Sequence, residues 1–145
     1  MKLSHLIHSL TRPLTLVAVM SLSIIPMHAE ETLVVNGASA LSGLSADQMK
    51  DYFLGKKTTW EDGTKVVVVV IKDGSSSEAL LSKLGKNSQQ FMTGWKKLVF
   101  TGKGSMPEQV ESDDALIAMI AKTPGAIGLV DKAKVKDGVK AIALQ

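Results

Sequence analysis

Apolar and polar positions follow two different periods along this chain, after an opening stretch that follows neither. Thr32-Leu33-Val34-Val35-Asn36 and Val66-Val67-Val68-Val69-Val70-Ile71 are short apolar, β-branched runs, the pattern of strands covered on both faces. The second, with no polar interruption, is predicted to be the central strand of a sheet. Ala126-Ile127-Gly128-Leu129-Val130 and Val139 to Leu144 predict two more strands. Between them apolar positions recur at helical spacing: Met49, Tyr52 and Phe53, then Leu80, Leu81 and Leu84, then Phe91, Met92 and Trp95, and last Leu116, Ile117 and Ile120. Each stretch has a start signal. Ser45 stands three residues before Gln48 as a capping box, one of three serines begins the second helix, Asn87 or Ser88 the third, and Ser112 the fourth. Gly55, Gly85 and Thr123-Pro124-Gly125 supply stops. Strands separated by helices imply βαβ units and an α/β fold, a largely parallel or mixed sheet with helices on its faces.

The opening stretch has a different logic. Lys2 and Arg12 precede an apolar run from Leu14 to Ile25, and Pro26-Met27-His28-Ala29 follows. This is the order of charge, hydrophobic stretch and small residue in a secretory signal, and the run is too short to span a bilayer stably. The expectation is a signal peptide over residues 1–29, cleaved near Ala29, and an exported, periplasmic domain over residues 30–145 with no membrane insertion afterwards. The chain has no cysteine, so neither a lipid anchor on cysteine nor a disulfide is available. The remaining length suits one domain with its own core.

Removing the signal changes the charge. The formal net charge of +3 loses Lys2 and Arg12 and becomes nearly neutral, which argues against nucleic acid, whose binding needs a clustered cationic face. All three histidines and the one arginine lie before residue 30. The domain therefore lacks a histidine-based nucleophile system, a His or Cys metal site and an arginine fork for anions. Gly55-Lys56-Lys57-Thr58 ends like a phosphate-binding P-loop, but Lys50 stands where the motif needs its first glycine. Neither an enzyme nor a cofactor is expected. Trp60, Trp95, Phe91 and Phe100 read as core anchors, as do Met49, Met92 and Met119, and Asp113 and Asp114 as first-turn complements to a helix dipole.

Several segments then occur in a telling order: Tyr52-Phe53-Leu54-Gly55-Lys56 followed by Trp60, Asp73-Gly74-Ser75, Phe100-Thr101-Gly102, and Pro124-Gly125-Ala126-Ile127-Gly128. In this the chain resembles the phosphate ABC-transporter substrate-binding proteins over nearly all of residues 30–145. The resemblance implies a single three-layer lobe of a type II periplasmic binding protein. In complete members two lobes close on a tetrahedral oxyanion, one offering an Asp-Gly-Ser-Gly-Thr loop preceded by an arginine. Asp73, Gly74 and Ser75 match that loop, Ser76 replaces its second glycine, and Ser77 replaces threonine but keeps a hydroxyl. The arginine position falls on Ile71. Lys72 beside it is a cation, although adjacent strand residues point to opposite faces. Leu129 replaces the usual tyrosine.

Lys72, Asp73, Gly74, Ser75, Ser76 and Ser77 are thus the candidate ligand residues, with a small oxyanion such as phosphate as the implied ligand. Independently of the resemblance, unpaired N–H groups at a helix start, hydroxyls beside them and the positive end of the macrodipole favour an anion. The same residues also make a good turn and a good N-cap and nothing more. The leading reading is an exported phosphate-type binding module that serves a transporter or sensor, with a second lobe supplied by another protein or by a homodimer partner. The other is a protein-interaction or scaffold domain that keeps the lobe fold without the anion.

Overall fold

The computed structural model describes residues 30–145; the expected signal segment lies outside them. Six strands form one mixed sheet in the order β2-β6-β1-β5-β3-β4. They are β1 (Glu31–Asn36), β2 (Gly43–Leu44), β3 (Val67–Ile71), β4 (Glu108–Val110), β5 (Ala126–Asp131) and β6 (Val139–Leu144). Four helices, α1 (Ala46–Phe53), α2 (Ser75–Leu84), α3 (Ser88–Phe100) and α4 (Asp113–Lys122), flank it. The expected α/β lobe is what forms. The first three helices pack Met49, Phe53, Leu80, Leu84, Phe91 and Trp95 against Val35, Val68 and Val70 on one face. α4 covers the other, setting Leu116, Ile117 and Ile120 on Val34, Val69 and Val130. The valine run of β3 feeds both clusters because alternate strand residues face opposite ways.

Two expectations are corrected. β3 is not central: it lies second from one edge, between β5 and β4. β1 runs antiparallel between β5 and β6 and takes the middle, pairing Leu33 with Leu129 on one side and with Ile142 on the other. Phe100 is not a core anchor, being 93% exposed. It lies nine residues beyond the buried Phe91, two and a half helical turns, and so emerges on the opposite face of α3. Trp60, Trp95 and Met49 are buried as expected, whereas Met92 and Met119 are only partly so.

Local chemistry explains the element ends. Capping boxes start α1 at Ser45 with Gln48 and α3 at Asn87 with Gln90, and Gly85 closes α2 in the left-handed conformation. Gly128 lets α4 approach β5: a β-carbon there would stand 2.7 Å from Leu116 Cδ2. Asn36, buried at the end of β1, donates from Nδ2 to the carbonyls of Ile120 (2.9 Å) and Ala121 (3.1 Å) and accepts from Ala38 N. One side chain thus satisfies the C-terminus of α4 and the first turn of the following loop. Asn36→Leu leaves Ala121 O and Ala38 N without these bonds, while Ile120 O keeps the one from Thr123 N, and is expected to cost about 2 kcal/mol, read as a lower urea midpoint at unchanged slope.

The sheet directions gather several ends at one edge. β3, β4 and β5 are mutually parallel and finish there, with Ile71 opposite Val110. β1 begins there, Glu31 facing Asp131, and β6 returns to it.

Candidate functional site

Strand ends that finish on a common edge, each followed by a helix, place helix N-termini there, and this is where open α/β sheets bind ligands. β3 leads through Lys72, Asp73 and Gly74 into α2, and β4 leads through Glu111 and Ser112 into α4. The two starts differ. Ser112 caps α4 by accepting from Ala115 N, whereas α2 begins at Gly74 (φ 103°, ψ −179°) with no side-chain cap. No β-carbon would clash at Gly74, so its glycine is required by backbone conformation alone. The first-turn N–H groups of α2 are left for water or an anion.

The structure separates the three serines. Ser75 is exposed, Ser77 is half-buried, and Ser76 is buried. Ser76 Oγ donates to Asp113 Oδ1 at 2.7 Å, and the same oxygen accepts from Asp131 N at 3.0 Å. Asp113 therefore ties the starts of α2 and α4 and the end of β5 together. Sequence reading placed Asp113 only as a dipole complement; its partner is 37 residues away, and no local pattern signals such a pair. Ser76 is committed to this link, leaving Ser75 and Ser77 with hydroxyls toward the open side.

Lys72 is also engaged. Its Nζ donates to Glu111 Oε1 at 2.6 Å, across the ends of β3 and β4. That hydrogen bond, with the carboxylate charge behind it, raises the ammonium above its ordinary value, so Lys72 stays cationic, and an anion at the loop would compete with Glu111 for it. Ile71, at the arginine position, is buried in the cluster under α4. Asp73 is exposed on the loop.

A hollow of about 230 Å3 adjoins the loop, bounded by Lys72, Ser77, Leu80, Ser88, Phe91 and Gln109. A larger one, about 550 Å3, lies toward the opposite edge between the Ala38–Leu44 segment, Tyr52, Trp60 and Pro124. The smaller one carries the site argument, because only it combines hydroxyl, ammonium and uncapped helix start. No group of carboxylates, histidines or cysteines among the described residues could hold a metal ion, and no described helix is long and apolar enough to cross a membrane.

No protein-family profile matches the chain. Its fold, however, is shared with solved structures. A phosphate ABC transporter substrate-binding protein from Clostridium perfringens, with bound phosphate, matches at a TM-score of 0.64 and 20% identity, over 79% of this chain and 44% of that one. An ABC-type phosphate transport receptor from Vibrio cholerae gives 0.63 and 20%, over 79% and 45%. PstS from Borrelia burgdorferi gives 0.57 and 14%, over 79% and 47%. The chain thus has the fold of part of a phosphate-type substrate-binding protein and spans less than half the length of these structures.

Proposed function

We propose that residues 30–145 form an exported, phosphate-type oxyanion-binding module whose ligand sits at the start of α2. The observation that carries this reading is the uncapped N-terminus of α2, with Ser75 and Ser77 beside it and Lys72 on the adjoining hollow. Shared fold with a protein solved with phosphate bound supports it. The neighbours are transport receptors by description, and the module's place is that of a transport or sensing component rather than a catalyst. Placement in the periplasm rests on the signal-like segment.

Magnitudes limit the affinity. Hydrogen bonds to a charged ligand contribute about 1.5–3 kcal/mol each, and immobilisation offsets several kcal/mol of that. An open half-site therefore holds phosphate at the millimolar level, about 4 kcal/mol. Tight binding needs a second lobe from another protein or a second copy.

Calorimetric titration with phosphate and sulfate, with association state checked on the same sample, tests this. Weak phosphate heats are expected from the native protein and none from Ser75→Ala/Ser77→Ala. Glu111→Gln, which releases Lys72, is expected to tighten binding by about threefold to tenfold. Absence of heat and of any melting shift at tens of millimolar phosphate, roughly tenfold above the expected constant, would refute the anion reading. The inward Ser76 and the buried Ile71 favour a protein-interaction domain in that event.

A further inference from the structure

We infer that the outer end of α3 and the turn after it form a docking surface for an anionic phospholipid bilayer. Phe100 is 93% exposed, with Val99 at 40% and Met106 at 37% beside it along the chain. A phenyl ring held this far out of a core is out of keeping with the other aromatics, which are all buried. The charge along this stretch of chain is one-sided. Between Glu78 and Glu108 the chain carries Lys83, Lys86, Lys96, Lys97 and Lys103 and no carboxylate, so α3 is a basic amphipathic helix, a type that associates with membrane surfaces.

Placement brings the lysines to the same end of α3. Lys96 and Lys97 precede Phe100 by four and three residues, one helical turn back on either side of it. Lys103 follows in a turn closed by its N–H donating to Leu98 O at 2.8 Å. Lys65 reaches the next residues of the turn, donating to Ser105 Oγ at 3.2 Å. None of these four lysines is in an ion pair among the described residues. An apolar tip within a set of ammonium groups matches the depth profile of a bilayer interface: phosphates outside, the acyl boundary beneath. The protrusion of Phe100 favours lipid over protein. Phe100 lines neither of the two hollows above nor a third, of about 130 Å3, that Met106, Lys65, Ser105 and Glu108 help to bound, and a fluid bilayer admits a protruding ring without a complementary pocket. The helix lies on such a surface and does not cross it, and one anchor with a few lysines gives reversible, salt-sensitive attachment.

Co-sedimentation with phosphatidylcholine vesicles containing about 30 mol% phosphatidylglycerol, against phosphatidylcholine alone, tests this. Binding is expected only with the anionic lipid at low salt. Phe100→Ser and, separately, Lys96→Gln/Lys97→Gln/Lys103→Gln are each expected to lower the partition coefficient about tenfold. Both change exposed positions only, and unchanged circular dichroism checks that they fold. Phe100→Trp is expected to shift its emission to the blue on adding those vesicles. No lipid-dependent sedimentation overturns the inference. So does sedimentation that survives Phe100→Ser, which reduces the surface to electrostatic adhesion. Failure on vesicles with Phe100-dependent binding to an acidic protein also overturns it, assigning the surface to a protein partner.

Discussion

Gly125→Val is expected to be the most damaging single substitution in the domain, costing about 4 kcal/mol or preventing folding altogether. Gly125 has φ +80°, and a β-carbon there would stand 2.1 Å from the backbone carbonyl oxygen of Lys65. Relief would have to come from backbone rather than from a flexible side chain. The carbonyl of Gly125 also accepts from Trp60 Nε1 (2.9 Å) and from Val67 N (3.0 Å). A shift therefore loosens the entry to β3 and the ring packing of Trp60 on Tyr52, whose centroids are 4.3 Å apart. Gly63 is the control: it too has positive φ, at +86°, but nothing lies within 4 Å of its β-carbon position. Gly63→Ala is expected to cost only about 1 kcal/mol. Urea unfolding of both variants decides the matter; equal losses would show that conformation alone, and not the close approach to Lys65, sets the requirement.

The second large effect is expected at Asp113. Asp113→Ala removes the acceptor of the buried Ser76 hydroxyl and of Asp131 N together, and takes an acidic side chain from the first turn of α4. Leaving two polar groups unpaired costs about 3 kcal/mol, against about 1 kcal/mol for Ser76→Ala, which removes the donor as well as its need. The double variant should lie well short of the sum. Hydrogen exchange should show faster opening at the start of α2 in Asp113→Ala than in Ser76→Ala. Additive losses would mean that the 2.7 Å contact contributes nothing to joining the two helices.

The elements that were legible in sequence are those with short-range causes. The Ser45–Gln48 and Asn87–Gln90 boxes close over three residues, and the valine run before Asp73 needs no partner to be recognised as a strand. Strands β2 and β4 contain two and three residues, too few to show a period in sequence, and exist because β6 and β3 offer pairing partners. The position of β3 departs from the sequence expectation for a related reason. Apolar density reports burial on two faces, not distance from a sheet edge, and β3 is buried while lying next to the edge strand. At the candidate site, the sequence could point to the Asp73–Ser77 loop but not divide its serines. Which hydroxyl turns inward is decided by Asp113 on another helix.

The antiparallel pairing of β1 with β6 has one more consequence. A polypeptide enters β1 and leaves β6 side by side at the edge that carries the start of α2, and the β6 end is held by bonds between Gln145 and both Leu44 and Ala46. The entry to β1 and the exit from β6 are therefore neighbouring crossings, and a segment fused at either would leave every strand pair intact. A domain fused at either crossing would arrive on the side of the helix start, so that a short linker alone would set how far it stands from Ser75.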